Sequence, residues 1–208
     1  YLEDGQTITA SKKEEMIEMQ RKLAPNPSGV LEQNLKTASS INHANIKGRL
    51  NELRTSNIED SIQAYESKGA SSGDAYMSDG STIWLKTNVG RAKQDTIGLY
   101  DGFDTKSYGF TAGLDKNIGS SSIIGVSGSY IDTNSLQNSN NSDTNSVGIG
   151  FYGSKEFDLG YIEGQVNYTQ HKTNTKRTAN SGDVSAKVKA DEIGARLEAG
   201  VHIPVDNG

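Results

Sequence analysis

The sequence contains no cysteine, which excludes a disulfide-stapled fold, a thiolate metal site and a cysteine nucleophile. A chain without thiols also suits passage through an oxidising periplasm in an unfolded state. Proline occurs 3 times and tryptophan once, hydrophobic residues make up 33% of the chain, and the mean hydropathy is -0.64. So polar a composition argues against a large dry core. No stretch approaches the ~18 consecutive apolar residues of a membrane-spanning helix. No charged-then-apolar leader opens the chain either, so an exported protein would carry its signal peptide upstream of Tyr1. These absences leave a transmembrane β-barrel open, because barrel strands present an apolar side chain to lipid only at every second position. The 21 basic and 26 acidic residues are interspersed, giving a net charge of -5 and no basic face for nucleic acid.

Glycine is plentiful, at 23 residues, and gathers after position 80. This places a boundary near Gly69 to Ser81. Before it the pattern is helical. Ser11 and Glu14 match a capping box and predict a short helix from Lys12 to Leu23, stopped by Pro25 and Pro27. A second helix is predicted from Val30 to Arg54, with Ile46, Leu50 and Leu53 on one face and Asn45, Lys47, Arg49, Asn51, Glu52 and Arg54 around the rest. That apolar stripe is narrow, and Gly48 weakens the helix by roughly 1 kcal/mol relative to alanine. The segment suits a polar cavity, or a solvated linker, better than a greasy groove.

After the boundary the sequence alternates. Tyr108, Phe110, Ala112 and Leu114 oppose Ser107, Gly109, Thr111, Gly113 and Asp115, and the pattern recurs around Ile124, Val147, Ile162 and Ile193. With the less regular Thr82–Val89 stretch this makes six strands of about 9–11 residues, the length that crosses a bilayer at a tilt. The links are predicted to run long, short, long, short, long: Arg91 to Thr105, Asn117 to Ser120, Asp132 to Asn145, Glu156 to Gly160 and Lys172 to Lys189. Such sorting fits a barrel with long loops outside and tight periplasmic turns. Asp115, Glu163, Arg196 and Glu198 on the polar face would be costly in a dry sandwich but acceptable in a hydrated lumen. Trp84, Tyr130, Phe151, Tyr161 and Tyr168 are candidates for interfacial girdles.

The motif Gly148-x-Gly150-x-x-Gly153 would cradle a pyrophosphate only between a strand and a helix, and here it sits within a strand. His43, His171 and His202 lack metal-ligand spacing, so neither a cofactor nor a catalytic site is expected.

The segments "SYGFTAGLDKNIGSSSIIGVSGSY", "YIEGQVNY" and "GARLEAGVHIP", with "NIKGRLNELR" at Asn45 to Arg54, resemble autotransporter β-domains and the helix that precedes them. The Rickettsia-type surface-antigen autotransporters are the subgroup most resembled. The resemblance implies an antiparallel transmembrane β-barrel of twelve strands, of which about half is present, preceded by an α-helical plug. It implies that residues 1–36 end a passenger or linker, 37–80 hold a pore helix and linker, and 81–208 form the first half of the barrel. It also implies an outer-membrane translocator that exports its own upstream passenger, with outer-membrane lipid and the barrel-assembly machinery as partners and no enzymatic step. The pore would be lined by Asp115, Glu163, Arg196 and Glu198, facing Asn45, Lys47, Arg49, Asn51 and Arg54 of the helix. Arg196 is expected to pair with Glu52, and the carboxylates with Lys47, Arg49 or Arg54. A six-stranded sheet leaves two edges that hydrocarbon does not tolerate, so this segment alone is not expected to insert as a monomer.

Some autotransporters cleave the pore helix at an Asn-Asn pair; here that pair occurs only at Asn140 and Asn141, leaving Asn45 or Asn51 as helix candidates. The alternative to export is a surface adhesin that binds host molecules through the Asp132–Asn145 and Lys172–Arg177 segments.

Overall fold

A computed structural model describes residues 11–16, 29–55, 74–77, 79–96, 101–137, 140–179 and 182–201. Residues 11–16 are helical; the rest of the predicted first helix, His202 and Pro204 lie outside the described residues. Among the described residues a long helix, Val30–Thr55, is followed by seven strands: β1 (Asp74–Tyr76), β2 (Ser81–Gln94), β3 (Phe103–Ile118), β4 (Ser122–Gln137), β5 (Asn140–Phe157), β6 (Gly160–Ala179) and β7 (Gly182–Val201). They form one antiparallel meander in chain order. The short β1 was not expected from sequence, and β7 has no neighbour on its far side among the described residues.

Two expectations need correcting. The long strands run 14 to 20 residues, well beyond a bilayer crossing. Most of the predicted long loops are strand: Asp132 pairs with Asn145 and the ladder continues to Gln137–Asn140, while Lys172 pairs with Lys189 and continues to Ala179–Gly182. These segments are rich in Asn, Ser and Thr on both faces, so they show no hydropathic alternation, yet backbone pairing needs none.

The sheet is polar inside and apolar outside. Level across the register stand Ile83, Leu114, Val126, Phe151, Val166 and Ala195, all on the outer face. The apolar band is oblique to that row. On β2 it rises to Val89, which is level with Lys189, whereas on β7 it stops at Ile193 and descends to Val201. A drift of about 4–6 residues over five strand spacings of about 4.8 Å means strands inclined by about 30–40° to the band, the tilt of a barrel wall.

The opposite face carries Thr105, Ser107, Thr111, Asp115, Ser127, Thr133, Thr144, Glu163, Asn167 and His171, all buried. What buries them is the helix. It contacts β3, β4, β5 and β6, and its side chains also reach Lys86 on β2 and Glu198 on β7. A cylinder about 10–12 Å across can touch strands spread over some 24 Å only if the sheet curls around it.

Gly29, with φ 69°, precedes the first turn, and its carbonyl accepts from the Gln33 amide at 2.8 Å. Glu32 in the first turn and Arg54 in the last oppose the helix dipole with the favourable sign. The buried stripe is Val30, Asn34, Ala38, Asn42, Asn45, Ile46, Arg49 and Leu50. Half of it is polar, which explains why the apolar stripe looked narrow in the sequence.

Candidate functional site

The seat of the helix on the concave face has three levels. At the lower end Arg49 is 2% exposed. Its guanidinium donates from Nε to Asp115 Oδ2 at 2.8 Å and from Nη2 to Asp115 Oδ1 at 3.1 Å, and Nη1 reaches Asp74 Oδ2 at 2.8 Å. One side chain thus ties the helix to β3 and to β1 with a two-pronged fork that lysine could not supply. Tyr152 donates its hydroxyl to Asp115 at 3.0 Å and accepts from Trp84 Nε1 at 2.6 Å. Trp84 and Tyr152 meet edge to face and pack with Ile46 and Leu50.

On the far side Arg54 donates to Glu163 at 3.2 Å and lies 3.8 Å from the Tyr161 ring centroid. Lys47 approaches Glu198 at 3.6 Å. Arg196 bonds with Glu198 on its own strand. The expected Arg196–Glu52 pair is not formed: Glu52 projects toward β2, where Lys86 meets it at 2.7 Å. Helical phase decides this, since Glu52 and Lys47 lie on opposite flanks of the helix.

At the middle level Asn45 donates to Thr111 at 2.8 Å, and His43 meets Gln165 at 2.7 Å and Asn167 at 3.1 Å. At the upper level Asn34 donates to Thr144 at 3.3 Å and accepts from Ser135 at 2.5 Å, inside a hydroxyl ladder that includes Thr105, Ser107, Thr133 and Thr173. Ser39 donates to Glu192, which faces His171 at 3.4 Å. Sequence reasoning missed Asn34, Asn42, Ser39 and His43 as seat residues. The signal available was an i, i+4 recurrence at 34, 38, 42 and 46, with Ser39 and His43 one position on from it, hidden because amides do not register as a buried stripe.

Glycines set the clearance. A Cβ at Gly150 would stand 3.1 Å from Ile46 Cδ1, and one at Gly194 would stand 2.5 Å from His43 Nε2. Gly148 and Gly150, two members of the G-x-G-x-x-G match, therefore leave room for the helix. Among the described residues no cluster of three or more His, Cys, Asp or Glu could hold a metal ion.

Trp84 and Tyr161 point to the concave side, so they are not girdle residues; Tyr130, Phe151 and Tyr168 do stand on the outer face. Ile83 and Leu85 take the outward positions on β2.

A helix enclosed by a polar concave wall, with an apolar outer wall and tilted strands, is what a plugged membrane barrel requires. The model of the autotransporter β-domain family matches residues 83–208. The chain belongs to that family. The β-domain fold is also similar to the translocator domain of the autotransporter NalP from Neisseria meningitidis, with a TM-score of 0.54 and 18% identity over 80% of this chain. The match spans 54% of that NalP chain, so this chain covers about half of the solved domain. No curated protein sequence matches. Family membership places the apolar outer wall of this β-domain in the bacterial outer membrane.

Proposed function

We propose that this β-domain anchors its upstream passenger in the outer membrane and exports it to the cell surface, with the Val30–Thr55 helix as the plug left in the lumen. The observation that carries the reading is the helix seated on a polar concave wall behind an apolar, tilted outer wall. Asp115, Glu163, Arg196 and Glu198 line the lumen; Asn45, Lys47, Arg49, Asn51 and Arg54 face them from the helix. Residues 1–36 end the passenger or linker, 37–80 carry plug and linker, and 81–208 begin the barrel. The helix itself runs across the first of these borders, from Val30.

Transport in this reading rests on shape and hydration, with no catalytic step and no cofactor. Closing the sheet needs further strands beyond β7 and the barrel-assembly machinery, because an open edge leaves backbone groups unpaired in hydrocarbon. Cleavage of the helix is not part of the proposal: Asn45 is held by Thr111, Asn51 accepts from Arg54, and the Asn140–Asn141 pair stands at the start of β5.

The test is display of the passenger by the full-length protein on intact Gram-negative cells, scored by external protease. Deleting residues 30–55 should abolish display while the barrel still shows heat-modifiable migration. Full-length protein that stays soluble without detergent, or display unaffected by the deletion, would overturn the reading.

A further inference from the structure

On the outer wall, just above the last apolar residues of β6 and β7, Tyr168 and Ile193, three lysines converge. Lys172 and Lys189 are directly opposed in the β6–β7 ladder, and Lys187 is level with Asn174 in the next outward row. All three are exposed. Directly opposed side chains in an antiparallel pair have Cβ atoms about 4.5–5.5 Å apart, and like charges there repel. Among the described residues no ion pair or hydrogen bond joins these lysines to a carboxylate.

The nearby acids offset this charge only in part: Asp132 and Asp143 stand two strands away in the rows of Lys172 and Lys187, and Asp191 stands in the row below. Asp191 accepts from the Tyr168 hydroxyl at 2.9 Å and from Gln170 at 3.4 Å, and Asp143 accepts from Asn134. Three ammonium groups against the single carboxylate of Asp191 leave a net positive charge on this part of the wall, which an anion from outside the fold would meet. The height of this patch selects the source. It stands where the apolar band ends, on the side of the band toward the extended β4–β5 and β6–β7 hairpins, and long hairpins mark the outer side of a barrel. Headgroups of the outer leaflet lie at that level.

We propose that Lys172, Lys187 and Lys189 form a binding site for the phosphate groups of the phosphorylated glycolipid of the outer leaflet. The site rests on the membrane placement argued above. Lysine suits it as a compact point charge with three donors, and several ammonium groups can share one phosphate. Tyr168 and Ile193 would contact the acyl chains, one outward row (Gln170 and Asp191) below the lysines on the same two strands. The lipid would then neutralise a repulsion built into the ladder and hold the base of the β6–β7 hairpin at the surface.

The experiment uses the full-length protein refolded in detergent, titrated with four probes: bisphosphorylated lipid A, the same lipid enzymatically dephosphorylated, inorganic phosphate and a sulfated glycan. Wild type should retain lipid A, and K172Q/K187Q/K189Q should bind it at least about tenfold more weakly, since each basic residue near an anionic headgroup contributes substantially. Dephosphorylated lipid should bind wild type and variant alike. Equal lipid A affinity for wild type and variant would overturn the proposal. So would binding of inorganic phosphate as tight as that of lipid A, which would make the site a plain anion site, or tighter binding of a sulfated glycan than of lipid A, which would assign the lysines to a host polyanion. Heat-modifiable migration is measured on every sample. A variant that migrates as a folded barrel and keeps its lipid defeats the site alone, whereas wild-type protein that never becomes heat-modifiable defeats the membrane reading and the site with it. If the triple variant does not fold, K189Q alone removes the opposed pair and must by itself weaken lipid A binding.

Discussion

Arg49 is the residue on which the seating of the helix turns. It is 2% exposed and bonded to Asp115, itself 3% exposed, and to Asp74. Removing one partner of such a pair strands the other charge out of water, at about 3–5 kcal/mol, whereas replacing both with apolar groups of similar size is often neutral. Arg49→Ala in the full-length protein should therefore lower the temperature at which the folded form is lost on unboiled gels. Arg49→Met combined with Asp115→Leu should recover part of that loss, the Tyr152 hydroxyl having lost its acceptor. If the double variant is no better than the single one, the cost lies in packing around Trp84 and Tyr152 and the ion pair is incidental. By contrast Arg91 and Asp104 form an exposed pair in which the arginine holds the carboxyl below its usual range. Water and salt screen such a pair, so little stability rests on it.

At the scale of elements, the alternating strands were readable wherever one face meets a medium unlike the other. Phe110, Leu114, Val126, Val147, Ile149 and Val166 all stand outward as their alternation implied. Beyond the bilayer both faces meet polar surroundings, so Asp132–Asn145 and Lys172–Lys189 carried no periodic signal and looked like loops. In β2 the run Ile83-Trp84-Leu85 is apolar on both faces, and only the bulk of the concave network around Tyr152 shows which side Trp84 takes. The candidate site was half legible: charged residues announced themselves, but buried amides such as Asn34 and Asn42 look like surface residues until their partners are seen. Clearance between helix and wall gives a second prediction. Gly150→Leu must displace Ile46, whereas Gly128 is on the outer wall, where an added Cβ meets nothing nearer than 4.0 Å. Hydrogen exchange across residues 42–50 should accelerate by at least about tenfold in the first variant and stay unchanged in the second, with β4–β6 protected in both. Equal protection in both variants would mean that the helix does not depend on that clearance.

For the whole molecule, the inverted polarity of the sheet decides where substitutions are tolerated. Ile149 is 53% exposed in the isolated chain and sits within the oblique apolar band. In a bilayer that exposure is to acyl chains, so Ile149→Lys should cost about 2–4 kcal/mol in refolding into lipid vesicles, while Ile149→Leu should leave stability unchanged. No loss for the lysine variant would mean that this face is not lipid-bound. The aromatic network at the base of the helix has one more outcome. Because Trp84 is the single indole of these 208 residues and is 0% exposed, against Ile46, Leu50 and the Tyr152 hydroxyl, its ultraviolet emission reports whether the helix is seated. Withdrawal of the helix would let solvent reach the ring and redden the light it gives off, so the seating of the helix on this wall can be followed optically without a label.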